Sequence, residues 1–319
     1  MDILTLPILS LFAVIGSLAG ILAGLFGIGG GIILIPMFLV VFRLAGFTPE
    51  VIVHSAFGTS LAIIIPTAIS SVLGHRKRGN VDWHQVMRMA CGSIAGVAVG
   101  SSLAAGLSGE TLKGLFGLMQ IATGVRMLLH GSTHFPPEEP GYARLWPMLL
   151  TGFAVGAFSS FFGVGGGVIA VPMMVILLHQ PIHLAVGNSS GLMVISALTG
   201  SASYVLHGLG RADLPPFSFG YVNLLVAALI APATVVCARL GVRLASRLSR
   251  DKLSIAFACF IIAVGVYMVA SFIWSCTRRV PCSVLPPLPG SSTQGEKLPS
   301  SKLLPGCSLR SVTSNRPLE

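Results

Sequence analysis

Charge is what this 319-residue sequence has least of, since Lys, Arg, Asp and Glu together make up 9% of it. A soluble globular domain carries about 25%. The ten acidic residues fall at the ends of apolar segments, in connections or near the C-terminus. The chain therefore lacks the intramembrane carboxylates that usually relay protons or cations, which disfavours a cation antiporter. With 53% hydrophobic residues and a mean hydropathy of +0.86, the composition predicts an integral membrane protein.

Cysteine is also scarce, and its spacing excludes two further classes of protein. The six cysteines form no CxxC pair and no cluster with histidine. We therefore expect neither a disulfide framework nor a metal site, and no cofactor. The net charge of +10 does not indicate a nucleic-acid surface, because the basic residues lie in short connections between apolar segments, where they bias membrane topology. The partner that composition predicts is the lipid bilayer.

Long apolar segments fill most of the chain. Eight can be distinguished, at about residues 6–44, 50–74, 86–107, 111–130, 145–179, 182–207, 217–243 and 252–275. About 20 helical residues suffice to cross the hydrocarbon core, yet the first and fifth segments each exceed thirty. The sequence predicts an all-α polytopic membrane protein with about eight spans, or up to ten if each of these two segments crosses twice.

The two longest segments contain nearly the same glycine-rich phrase. GLFGIGGGIILIP (24–36) and SFFGVGGGVIAVP (160–172) are identical at 7 of 13 positions. Further along each half, FGTS (57–60) corresponds to VGNS (186–189). These matches predict an internal duplication. We expect a first transmembrane repeat in residues 1–130, a linker in 131–144, a second repeat in 145–275, and a disordered tail rich in proline and serine in 276–319.

Whether the repeats are parallel or inverted depends on the two long segments. If each crosses the membrane once, the basic residues outside the tail split 9 against 7 between the two sides, and if each crosses twice they split 11 against 5. The positive-inside bias favours the second count. The charge count thus favours inverted repeats and leaves parallel repeats open, and in both arrangements each repeat has a glycine-broken first helix.

The contiguous glycines are the strongest candidate for a binding site. Glycine is costly inside a helix, and close helix packing explains glycines spaced four apart but not a GIGGG run. An unwound segment in each half would present free N–H groups to a cavity, where an anion is the natural ligand. Pro36 and Pro172 predict a second kink or helix break after each run. The predicted backbone ligands are Gly27, Gly29, Gly30, Gly31, Gly163, Gly165, Gly166 and Gly167.

Polar residues after each glycine phrase admit three interpretations. Thr59, Ser60, Asn188 and Ser189 could line a passage, or could make ordinary interhelical hydrogen bonds. GNSSG (187–191) also matches the G-x-S-x-G pattern of a serine hydrolase, but no strand signal precedes it and no buried acid supports a triad. Asp82 and Asp213 hold matching places before apolar segments and are predicted helix N-caps.

The paired GxGGGxxxxP phrases, the Asn-Ser step after the second and the duplicated layout resemble the sulfite exporter TauE/SafE family. The resemblance covers about residues 6–275 and implies a membrane transporter of sulfur-containing anions such as sulfite and organosulfonates. On this basis we expect a multi-pass inner-membrane transporter, not an enzyme, that works by alternating access between its two broken helices. A membrane-embedded serine hydrolase and a non-transporting scaffold are the alternatives. The anion, the direction, the coupling ion and a homo-oligomeric state are left open by the sequence.

Overall fold

The computed structural model describes residues 14, 16–21, 30–129, 145–211, 213–245 and 250–278. Gly27, Gly29, the predicted linker and the predicted tail beyond residue 278 lie outside the described residues. Residues 1–277 form one compact unit, so both predicted repeats belong to the same body.

The described part of the chain is almost entirely helical, which confirms the predicted all-α class. Residues 16–21 are helical. Nine longer helices follow: α1 Gly31–Leu44, α2 Pro49–Arg76, α3 Trp83–Gly106, α4 Gly109–Leu129, α5 Leu145–Phe162, α6 Gly167–Leu177, α7 Ile182–Gly208, α8 Leu224–Ala245 and α9 Arg250–Arg278. Two short strands, β1 Ser218–Phe219 and β2 Val222–Asn223, form an antiparallel hairpin between α7 and α8.

Several of these helices have the length and apolarity to cross a bilayer. Within the described residues, five qualify: Pro49–Arg76, Trp83–Gly106, Leu145–Phe162, His183–Gly208 and Ala258–Ser275. Three shorter apolar helices, Gly31–Leu44, Gly167–Leu177 and Leu224–Leu240, accompany them. The chain is therefore a multi-pass membrane protein.

The second glycine phrase interrupts a helix, as predicted, and the described part of the first phrase contains a helix start. In the second half α5 ends at Phe162, and α6 begins at Gly167 after a four-residue turn. Gly166 is the N-cap of α6 with φ 78° and ψ −10°. In the first half Gly30 is the N-cap of α1 with φ 80° and ψ −14°. Both glycines lie in the left-handed region that side chains disfavour, so the repeated phrase produces the same helix start in each half.

Of the kink or break predicted at Pro36 and at Pro172, the break is wrong, because α1 and α6 both continue through their prolines, and the kink stays a prediction. A proline inside a helix leaves the carbonyl four residues earlier without its N–H donor. In α1 that carbonyl belongs to Ile32, and the Nε2 of Gln120 in α4 donates to it over 2.9 Å. The interruption lies at the glycines, and a side chain from a neighbouring helix satisfies the carbonyl that Pro36 leaves free.

The matching helices α2 and α7 pack antiparallel. The hydroxyls of Ser71 and Ser190 are 3.0 Å apart, and a Cβ added to Gly200 would lie 3.1 Å from Leu61. Residue numbers therefore rise along α2 as they fall along α7. Equivalent helices that run in opposite directions are expected when the symmetry axis lies in the membrane plane. This arrangement favours inverted over parallel repeats.

Helix α5 reaches its glycine turn along a close contact with α3. A Cβ added to Gly92 or Gly96 in α3 would collide with the carbonyl oxygens of Leu149 or Phe153 in α5. In the other direction, a Cβ on Gly152 would collide with the Met89 carbonyl oxygen. Small residues allow this close approach of helix backbones in a membrane. The contact fixes the end of α5, and with it the position of the turn that follows.

Candidate functional site

The two glycine phrases touch each other. Gly31 begins α1, and Val164 lies in the turn between α5 and α6. A Cβ added to Gly31 would lie 2.7 Å from the Val164 Cα and 2.9 Å from its carbonyl oxygen. Residues 133 apart in the chain thus meet without room for a side chain. The helix start of the first half therefore lies directly against the turn of the second half.

Gly165 lies between the two antiparallel helices at positions that the repeat relates. A Cβ on Gly165 would lie 3.0 Å from Ile64 in α2 and 3.3 Å from Met193 in α7. Ile64 and Met193 are separated by 129 residues, the same offset that separates FGTS from VGNS. Equivalent side chains from both halves contact one glycine, so the turn lies near the centre of the duplicated body.

The starts of α1 and α6 present uncapped backbone donors. As N-cap residues, Gly30 and Gly166 have no side chain that could accept a hydrogen bond from the first N–H groups of their helices. Their carbonyls accept the first helical bonds, from Ile33 and Leu34 in α1 and from Ile169 and Ala170 in α6. The N–H groups that precede these bonds, those of Gly31 and Ile32 in α1 and of Gly167 and Val168 in α6, have no intrahelical acceptor. Each helix start therefore carries partial positive charge and free donors.

Buried hydroxyls lie beside the second turn. Ser60 is fully buried in α2, one helical turn from Ile64 and three residues from Phe57, whose Cα would be 2.7 Å from a Cβ on Gly163. On a helix, residues three or four apart share a face, so Ser60 lies on the face of α2 that meets the glycine turn. Its hydroxyl has no hydrogen-bond partner in the described chain. A buried polar atom of this kind needs a partner.

Ser159 is a second buried hydroxyl that sequence reasoning missed. It is fully buried in the last turns of α5, and its Cβ would lie 3.2 Å from a Cβ added to Gly166. Its hydroxyl lacks a partner in the described part of the chain. The repeat gave no signal for it, because the matching position in the first half is Ala23, which has no polar side chain.

Thr59 and Asn188 contact loops of the opposite half. Both side chains are fully buried. Thr59 Oγ1 accepts a hydrogen bond from the Asn223 backbone N–H at 3.0 Å, and Asn188 Oδ1 accepts one from the Asp82 N–H at 2.8 Å. The Nδ2 of Asn188 also donates to Gln180 Oε1 at 3.3 Å. Both residues lie close to the site, but their side-chain oxygens already accept hydrogen bonds from the backbone of these loops.

The predicted N-caps divide between a confirmation and a correction. Asp82 caps α3, because its carboxylate accepts bonds from the N–H groups of His84 and Gln85. Asp213 does not cap α8, which instead begins after Asn223, whose Oδ1 accepts the Val226 N–H at 3.0 Å. The β-hairpin separates Asp213 from the helix it was predicted to begin. Asn223 holds the position that corresponds to Asp82.

GNSSG lies inside α7. A nucleophile elbow needs a strand before the serine and a helix after it, and neither that strand nor a sharp turn is present at these residues. Ser189 is buried, and the hydroxyl of Ser190 donates to the Val186 carbonyl oxygen at 3.0 Å. Among the described residues no group of three His, Cys, Asp or Glu could hold a metal ion.

The electrostatics of the site come from neutral groups. Of the residues that the structure describes as buried, none is Asp, Glu, Lys or Arg. Helix starts, backbone N–H groups and hydroxyls are what remain to stabilise a ligand. Such donors suit an anion, because in a site with little water their partial positive charges stabilise a negative ligand without a charged side chain.

Comparison with known proteins agrees with this architecture. The family model described as "Sulfite exporter TauE/SafE" matches residues 12–268. A "Probable membrane transporter protein" of Haemophilus influenzae is 29% identical over 258 residues, which cover 80% of this chain and 95% of the relative. A Xylella fastidiosa protein of the same description is 31% identical over 271 residues, covering 83% and 97%. A Methanocaldococcus jannaschii relative is 28% identical, covering 83% and 96%. No solved structure matches the chain.

Proposed function

Because this chain belongs to the sulfite exporter TauE/SafE family of membrane transporters, we propose that its cargo is a small anion, sulfite or an organosulfonate. The proposed site lies at the paired glycine turns. Its backbone donors come from Gly27, Gly29, Gly30 and Gly31 in the first half and from Gly163 and Gly165–Gly167 in the second. Ser60 and Ser189 line it, and Thr59 and Asn188 flank it.

The observation that carries this proposal is the contact between Gly31 and Val164. It brings the helix start of one half against the turn of the other, and this proximity is the reason why we place the anion between backbone donors of both halves. Irregular backbone at membrane depth is tolerated where it is buried in protein or lines a cavity. The unpartnered hydroxyl of Ser60 adds a neutral donor beside the same turn.

The proposed mechanism is alternating access around this site. In transporters with inverted repeats, one repeat rocks against the other while the ligand stays near the midplane. Here α2 and α7 are the matching antiparallel pair, and Gly165 contacts both of them. A relative shift of the halves would open the glycine turns to one side of the membrane and then to the other.

The location and assembly proposed for the protein follow from the same family. We place it in the inner cell membrane as a multi-pass protein in contact with lipid, with no nucleic-acid partner. We also propose that the protein forms homo-oligomers, since it has many exposed apolar side chains, which include Trp146 at 73% exposure and Trp274 at 63%. Such side chains equally suit contact with lipid.

The test is flux through purified protein in liposomes. Sulfite, sulfoacetate, taurine, thiosulfate and sulfate are offered in turn, with protein-free liposomes as the control. We expect saturable movement of at least one sulfur-containing anion. Ser189→Ala separates transport from hydrolysis, because a hydrolase would lose all turnover while a transporter would change mainly in affinity. Absence of movement for every anion would contradict the proposed cargo.

A further inference from the structure

Two hydrogen bonds related by the repeat hold two loops in place. The first loop, residues 77–82, joins α2 to α3, and the second loop, residues 213–223, joins α7 to α8 and contains the hairpin. Asn188 in α7 accepts the backbone N–H of Asp82 at the end of the first loop. Thr59 in α2 accepts the backbone N–H of Asn223 at the end of the second. Each half therefore holds the loop of the other.

A glycine beside each acceptor lets the loop backbone dock directly on the helix. A Cβ on Gly58 would lie 2.9 Å from the Tyr221 carbonyl oxygen in the second loop. A Cβ on Gly187 would collide with the Asn80 carbonyl oxygen in the first loop. Gly58 and Gly187 are themselves equivalent by the 129-residue offset. The docking surface, like the hydrogen bond, is duplicated.

The two docking points lie on opposite sides of the glycine turn. Thr59 precedes Ile64 by five residues, and Asn188 precedes Met193 by five. At 1.5 Å per residue, each is displaced about 7–8 Å along its helix from the contact with Gly165. Because α2 and α7 run antiparallel, these displacements point in opposite directions. One loop therefore covers one end of the proposed site and the other loop covers the other end.

We propose that the two loops are the two gates of the transport pathway, and that Thr59 and Asn188 are positioning residues that hold them shut rather than ligands of the anion. This inference rests on the proposed function. Alternating access requires each gate to release while the other stays closed, and each hydrogen bond that holds a loop contributes only a small part of the barrier to its release. In the structure both loops are docked.

The two gates are braced differently. Asn188 belongs to an amide cluster, since its Nδ2 also bonds Gln85 and Gln180. On the other side the Tyr221 N–H donates to the Tyr204 carbonyl oxygen at 3.2 Å. The Tyr204 hydroxyl then donates to the Ser160 carbonyl oxygen at 3.0 Å, three residues before Gly163. The second loop is thus connected through Tyr204 to the end of α5, which leads into the glycine turn, and its release is expected to respond to the ligand bound there.

The experiment measures access to the site from each side of the membrane. Ser60→Cys is the reporter, placed in protein whose native cysteines are replaced by serine, and a membrane-impermeant charged thiosulfonate modifies it in right-side-out and inside-out vesicles. Thr59→Val removes one acceptor without changing side-chain shape, and Asn188→Leu removes the other. Ser203→Ala is the matched control, because it removes an interhelical hydrogen bond to Ser101 that holds no loop.

We expect Thr59→Val to speed modification by about two- to tenfold from one side only, and Asn188→Leu to do so from the opposite side. Thr59→Ser keeps the acceptor and should restore the slow rate, while the Ser203→Ala control should label like its parent. If Thr59→Val does not insert, Tyr204→Phe weakens the same gate through the Ser160 contact and should expose the same side.

Equal acceleration from both sides, or none, would overturn the gate assignment. Flux is measured in parallel in protein that keeps Ser60, both wild type and with each gate substitution alone, so that the two proposals can fail separately. Sided labelling without flux of any tested anion supports the gates and contradicts the proposed cargo. Flux without any sided change in labelling supports the cargo and contradicts the gates.

Discussion

Replacing Gly31 by alanine tests the contact between the two glycine phrases. Gly31 is the first residue of α1 and has ordinary helical geometry, so alanine suits its backbone. The added methyl group would lie 2.7 Å from the Cα of Val164, whereas ordinary contact begins at 3.4 Å. The neighbour is backbone and cannot rotate away. The two phrases must separate by about 0.7 Å, a displacement that costs about 1–3 kcal/mol by the usual range for overpacking.

The same displacement sets the expected loss of binding. A backbone donor 2.9 Å from an anion oxygen would move beyond 3.5 Å, where a hydrogen bond is no longer formed. Losing one hydrogen bond to a charged group costs about 1.5–3 kcal/mol, which corresponds to about ten- to a hundredfold weaker binding. We therefore expect Gly31→Ala to raise the half-saturating anion concentration in liposome flux by about that factor.

Gly74→Ala is the control. Gly74 lies inside α2, with nothing within 4 Å of its added Cβ, and alanine there gains helix propensity without collision. It should leave the half-saturating concentration unchanged and the stability equal or higher. If Gly31→Ala behaves like Gly74→Ala in both flux and thermal unfolding, the close contact between the phrases is refuted as a requirement of the site.

Three further changes have distinct expectations. Gly166→Ala should abolish transport and lower the free energy of unfolding by about 1–2 kcal/mol, because the position has a positive φ. Gly210→Ala is the control: Gly210 has φ 82° but open space around it, so only stability should fall. Equal flux defects in the two variants would contradict a role of Gly166 in the site. Ser60→Ala removes a buried hydroxyl without a described partner. Thermal unfolding should therefore be unchanged, while anion affinity falls about tenfold. Unchanged affinity would show that Ser60 is not part of the site. Gln120→Leu should lower the free energy of unfolding by about 1–3 kcal/mol. Adding Pro36→Ala should restore this stability, because the N–H of residue 36 can then bond the Ile32 carbonyl. Additive losses in the double variant would contradict the role of Gln120 as the donor to Ile32.

The contiguous glycines could be predicted from the sequence because they are locally unfavourable. Glycine in the left-handed region at Gly30 and Gly166 forms the start of a helix, and a repeated phrase marks the same local geometry twice. The duplication likewise survives as residue identity at a fixed offset. The order of the helices could also be predicted, because the length of an apolar segment is enough to identify it as a membrane span.

The partners of buried polar groups could not be predicted, because they are separated by long stretches of chain. The Asn223 N–H bonds Thr59 across 164 residues, and Gln120 reaches Ile32 across 88. Pro36 indicated a break by local rules, but a tertiary donor satisfied the free carbonyl and the helix continued. Asp213 matched Asp82 in sequence, yet the hairpin inserted after it moved the cap to Asn223. Ser159 carried no repeat signal at all.

Binding of an anion at the paired glycine turns is tested by sulfite and organosulfonate flux through wild-type protein and through Gly30→Ala in matched liposomes. Gly30 has φ 80° at the start of α1, so alanine there distorts the helix start while leaving the apolar surface of the protein intact. We expect saturable flux in the wild type and its loss in a Gly30→Ala protein that still inserts and remains folded. Equal flux by both proteins would contradict it.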